Sequence, residues 1–179
     1  MKKIMFNDKF HLTQSVLDGT KTMTRRLLKE GTPLGNWEET EKHLPYKVGE
    51  IVAIAQSYHT LNKSGYVAPE WCEHTCESSA GYENKMFVRA DLMPHHIRIT
   101  DVKVERLQDI SDDDILREGV WQFYDNKNLF YISKNIGYAP IVAFPKAREA
   151  FWYLIDKISG NGTWDGNPWV VAYSFELVD

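Results

Sequence analysis

Cysteine is scarce in this chain, with two among 179 residues. That is too few for a disulfide framework, and the expectation is of reduced thiols in a cytoplasmic protein. No apolar run approaches the ~20 residues that a membrane-crossing helix needs, so no membrane partner is expected. The opening MKKIMFNDKF carries two lysines but lacks the apolar stretch of a secretory leader. Repeats and low-complexity tracts are missing as well. So is a basic surplus: the net charge is −4, which argues against the broad cationic surface that duplex binding requires. What is present is a folding composition, 43% apolar and 13% aromatic. At this length it suits one domain over residues 1–179.

The acidic total hides an asymmetry. Residues 1–30 hold seven lysines and arginines against three acidic side chains, a charge of +4, which leaves −8 for the remainder. The cations concentrate in DGTKTMTRR, residues 18–26. A basic start on an acidic chain can attract an anion locally without making the whole surface adhesive.

The element pattern is α+β, mainly β. KKIMF reads as an opening strand. Asn7 or Asp8 can cap a short helix that Gly19 ends. TMTRRLL has strand-like threonines, and Ile51–Ala55 is an apolar run suited to a strand buried on both sides. Residues 57–90 are polar and irregular and read as an insertion, not a second core; residues 124–144 read as an aromatic loop with room for one strand. In HIRITDVKVERL, Ile97 and Ile99 share one parity while Val102 and Val104 share the other. A bulge near Thr100–Asp101 returns all four to one face. ISDDDILREGV is a short helix with Ser111 as cap, acidic first turn and Gly119 as stop. Glu118 then falls in the last turn, where the dipole disfavours a negative charge by roughly 0.3–1 kcal/mol. FPKAREAFWYLIDKISG is a helix with Pro145 in its first turn. Its stripe of Ala147, Ala150, Phe151, Leu154 and Ile158 reads as core. NPWVVAYSFELVD is a strand presenting Trp169, Val171, Tyr173, Phe175 and Leu177 to one side. Together these make a small mixed barrel with short flanking helices.

Chemistry can be assembled around the cationic motif. A threonine hydroxyl becomes a nucleophile when a base takes its proton, and a lysine serves as that base when burial or neighbouring cations lower its pKa. Lys21 and Thr24 have those residue types, and Arg25 and Arg26 supply the cations. A carboxylate such as Glu118 can return the proton to a leaving amine.

The stretch LDGTKTMTRR resembles the signature of the ASCH domain family, small β-barrels of PUA-like fold. So does the further order of KVGEIVAIA, RITDVKVERLQDIS and WVVAYSFELV. QDISDDDILREGV and WDGNPWVVAYSFE resemble larger phage and prophage members. The resemblance implies an ASCH-type, PUA-like β-barrel and two kinds of activity. One is a binding module holding RNA, a nucleotide or a modified nucleoside in a basic cleft, with Thr22, Arg25 and Arg26 on the ligand. The other belongs to a branch that hydrolyses the acetyl amide of acetylated cytidine. By residue it would make Lys21 the proton acceptor, Thr24 the nucleophile and Glu118 the proton donor. A phage accessory protein without activity is the third alternative. Stacking rings for a base would come from loop or edge stretches that include Trp37, Tyr46, Trp121, Tyr124 and Tyr131. No cofactor is expected. Cys72, His74 and Cys76 in CEHTC alternate as metal ligands on an extended strand would, though ordinary thiols are the simpler reading.

Overall fold

The computed structural model describes residues 1–66, 77–133 and 142–178. In chain order its strands are β1 (Lys3–Ile4), β2 (Met23–Leu27), β3 (Ile51–Ile54), β4 (His96–Arg106), β5 (Val120–Gln122), β6 (Phe130–Ile132), β7 (Val142–Phe144) and β8 (Trp169–Leu177). The helices are α1 (Leu12–Leu17), α2 (Trp37–Lys42), α3 (Tyr58–Lys63), α4 (Asp112–Arg117), α5 (Ala147–Ser159) and α6 (Thr163–Gly166). Five strands form one sheet in the order β1-β3-β4-β8-β2, and β5-β6-β7 form a second. The fold is therefore α+β and mainly β.

The long antiparallel pair of β4 and β8 is the spine of the larger sheet. Its register slips once: Ile99 pairs with Phe175 and Asp101 with Ser174, leaving Thr100 as the extra residue. Ile97 and Ile99 then share a face with Val102 and Val104, opposite Leu177, Phe175, Tyr173 and Val171. Without the bulge half of these side chains would point away from the core. β8 is buried on both faces from Val170 to Ser174. The one-sided pattern expected from its alternation is thus incomplete, because small residues (Ala172, Ser174) on the other face lie under covering structure.

The sheet curls without closing. β1 pairs only with β3 and β2 only with β8, so both are ladder edges among the described strands. The edges nevertheless approach: the Arg26 guanidinium on β2 donates to the carbonyl of Met5, just past β1. The expected barrel is in this sense a curled sheet with an open seam.

Other elements depart from the sequence reading at their ends. Asn7 caps a 3-10 turn, Asp8–Phe10, rather than α1 directly, and His11 follows at φ 55° before the helix begins. Pro145 precedes the cap residue Lys146 instead of entering α5. Residues 124–144 contribute two short strands, β6 and β7, not a bare loop. The described part of 57–90 also gives core residues: Tyr58, Leu61 and Val88 join Ala53, Ala55, Leu92 and Met93 in a satellite cluster. Polarity masked this, because the apolar residues there are widely spaced.

Candidate functional site

α4 places the first functional group. Ser111 caps it by accepting from the Asp114 N–H at 3.1 Å, and Ile110 and Ile115 are both buried beside it. Glu118 is the residue that ends the helix. The Lys21 ammonium donates to the Glu118 backbone carbonyl at 2.6 Å, to its carboxylate Oε2 at 2.9 Å and to the Met23 carbonyl at 2.7 Å. One cation therefore satisfies a helix-end carbonyl and neutralises the acid that the dipole disfavours. Gly119, at φ 100°, makes this approach possible: a Cβ there would stand 2.8 Å from Leu12 Cδ2 and 3.6 Å from the Lys21 side chain.

Lys21 is 2% exposed and Glu118 5%. Burial pulls the Lys21 pKa below its ordinary value; Glu118 opposes that pull, and Arg26 and Arg25 reinforce it.

β2 carries the rest. Thr24 and Arg26 share one face with their β8 partners Tyr173 and Val171, while Arg25 points to the other. On that other face Arg25 is completely engaged. Nε and Nη2 donate to Glu105 Oε1 at 2.8 and 2.6 Å, Nη2 to Asp114 Oδ2 at 2.9 Å, and Nη1 to Glu118 Oε1 at 3.1 Å. Lys103 also reaches Asp114 at 3.0 Å. Burial alone would raise the Asp114 pKa, yet the hydrogen bonds from Lys103 and Arg25 hold it below the usual carboxylate range.

The Arg26 guanidinium leaves its Nε buried without a partner, and burial lowers its pKa. Thr22 stands apart: its hydroxyl accepts from Arg117 Nε at 3.1 Å.

These groups meet at a pocket of about 260 Å³ in the seam between β1 and β2. Lys21, Thr24, Arg25, Arg26 and Glu118 form its polar wall. Phe6, Leu12, Phe151, Leu154 and Ile155 form its apolar wall. Thr22 is not among the lining residues. The Thr24 hydroxyl makes no hydrogen bond to another described residue, which leaves it, with Arg26 Nε, an uncommitted group of the polar wall.

The α5 stripe is core, as its period implies, but Phe151, Leu154, Ile155 and Ile158 also face this pocket. Sequence reasoning missed that role because periodicity shows which face is buried, not whether the burial is complete. Ile158 is 38% exposed, and Ile155 takes the core position expected for it. The aromatic residues of the pocket are Phe6 and Phe151. Trp121 instead packs against Tyr131 with centroids 6.2 Å apart, and the Tyr46 hydroxyl donates to the Lys3 carbonyl at 2.8 Å. Cys72, His74 and Cys76 lie outside the described residues. No helix among the described residues is long and apolar enough to cross a membrane.

No family model matches this chain. No curated protein matches it either. Among solved structures, it is similar to a DUF984-family protein from Enterococcus faecalis V583: 16% identity, all of this chain and 77% of the other covered, TM-score 0.44. It is also similar to an ASCH domain from Lactobacillus crispatus JV V101, at 14% identity over 96% of this chain and 75% of the other, TM-score 0.42.

Proposed function

We propose that the pocket in the β1–β2 seam binds a single nucleobase, presented as a nucleoside, a nucleotide or an unpaired residue of RNA. The carrying observation is the pairing of an apolar wall, Phe6, Leu12, Phe151 and Leu154, with a polar wall that holds a free Thr24 hydroxyl. A flat heterocycle has two apolar faces and a hydrogen-bonding edge, and a cavity of about 260 Å³ holds one but not a duplex. The resemblance of LDGTKTMTRR to the ASCH signature supports the same ligand class. Titration calorimetry with cytidine and N4-acetylcytidine tests it. Saturable heat is expected with at least one of them, weakened when Leu154→Lys fills the apolar wall. No heat with either at low salt would remove the reading.

One observation favours a second, catalytic reading of the same pocket. Lys21 Nζ and Glu118 Oε2 lie 2.9 Å apart in a site with almost no water contact. The reaction begins with passage of the ammonium proton across that contact to the carboxylate, and burial, which pulls the Lys21 pKa down, favours the free amine as the base. Lys21 then takes the Thr24 proton as Thr24 Oγ attacks an acyl carbon. Glu118 gives its proton to the departing exocyclic amine as the C–N bond breaks. Water afterwards cleaves the threonine ester and releases the carboxylic acid. Chromatography of N4-acetylcytidine incubations checks this. Wild type is expected to release cytidine, and Thr24→Val to bind the substrate while releasing none.

A further inference from the structure

Two cations of the motif are spent internally. Lys21 is held by Glu118, and Arg25 by Glu105, Asp114 and Glu118. Arg26 turns one donor to the Met5 carbonyl and stands over the Phe6 ring, its charged carbon 5.9 Å from the ring centroid. A phosphate entering the pocket would meet a Lys21 ammonium and an Arg25 guanidinium already matched by carboxylates, so those two are poorly placed to hold it.

A different set of cations stands at the mouth. The pocket continues over Met5, Phe6, Asn7 and Ile158 into an open groove. Lys9, Lys85 and Lys157 line that groove, with Asp8 as its acidic group, so its lining carries a charge of +2. Lys85 is bound to Asp8 at 2.7 Å and to the Phe6 carbonyl, and Thr13 also donates to Asp8. The Asp8 carboxylate is therefore occupied. Lys9 is exposed and its ammonium has no partner among the described residues; Lys157 is exposed, and among the described residues its ammonium meets the Tyr153 ring, at 5.4 Å, and no carboxylate. On a chain of net charge −4 this is a local positive field that opens onto the apolar wall of the pocket.

We infer that this lysine-rimmed groove is a phosphate subsite. The ligand of the adjoining pocket is accordingly a phosphorylated one, a nucleoside monophosphate or a strand end, in preference to a free nucleoside. The inference rests on the base-binding reading of the pocket and adds the anion to it. Free ammonium groups at the rim gain a counter-charge on binding, whereas Lys21 and Arg25 would have to give one up.

The test compares cytidine, cytidine 5′-monophosphate, cytidine 3′-monophosphate and inorganic phosphate on the intact chain and on a Lys9→Gln, Lys157→Gln variant. Both positions are exposed, and Lys85 is left to hold Asp8. At least one monophosphate is expected to bind about tenfold more tightly than cytidine at low salt, a gain typical of one or two exposed charge contacts. That ratio should fall toward one in the variant and in ~0.5 M salt. Inorganic phosphate alone should bind weakly, because it cannot use the apolar wall. Equal affinity for cytidine and both monophosphates, or a ratio that survives the double substitution, overturns the subsite and leaves the base pocket standing. Failure of every cytidine compound to bind overturns both.

Discussion

Glu118 concentrates the residue-scale argument. It sits where a helix repels negative charge, and it is tolerated because Lys21 and Arg25 converge on it. Removing its charge by Glu118→Gln leaves Lys21 buried without a counter-ion, and breaking such a pair costs about 3–5 kcal/mol. Urea denaturation should show that loss, and Lys21→Met in the same background should recover part of it by removing the stranded charge. Asp114 gives a pH dependence of defined sign. Its carboxyl is held below the ordinary value in the folded state. The folded chain therefore binds fewer protons than the unfolded one near pH 4. The contribution is full above the unfolded value of 3.8 and is lost as pH falls through the lower folded value. Asp114→Asn should be less stable than wild type at pH 7, with the difference shrinking in denaturation series taken toward pH 3. The presence of these residue types, and the oddity of Glu118, were legible in the linear chain. That Arg25 is held by three carboxylates was not, because strand parity alone does not say which face of β2 they meet.

Element-scale predictions concern the devices that aim those side chains. Thr100 is the unpaired residue of the bulge. Deleting it would put Ile97 and Ile99 out of phase with Val102 and Val104, exposing one pair whichever register wins. Loss of cooperative thermal unfolding, read by near-ultraviolet circular dichroism, is the expected outcome. Ser111→Ala should cost about 1 kcal/mol by removing the α4 cap, measurable in urea. The bulge was readable before the structure because two apolar parities met within one strand, and the cap because serine, three aspartates and glycine agreed. The 3-10 turn before α1 was less readable, since Asn7 suits either kind of helix start. β6 and β7 were hidden by their length: three residues give alternation too little room to declare itself.

For the whole molecule, the curl of the larger sheet joins parts that are distant in sequence. Residues just past β1, from β2 and from the longest helix line one pocket, and no sequence window spans them. Composition gave the class. Periodicity gave most strands and α5. The meeting of Phe151 with Thr24 depends on tertiary packing alone. The distribution of charge makes a further prediction. With two unpaired ammonium groups, Lys9 and Lys157, at the groove, ligand affinity should fall with salt at a log–log slope of about one, not the value near ten of proteins that neutralise many phosphates. Titrations of a monophosphate from 50 to 300 mM salt would measure it.

The seam between the first two strands has a mechanical meaning. A wall zipped by consecutive main-chain bonds must break several together before it parts, whereas here the join described is a single guanidinium reaching one carbonyl. Widening this slot thus demands the release of side-chain contacts that already border the hollow, Arg26 on the Met5 carbonyl and on the Phe6 ring among them, and the ladders on either side stay whole. The side chain that lines the hollow and the latch that joins the two edges of the curled wall are the same few atoms.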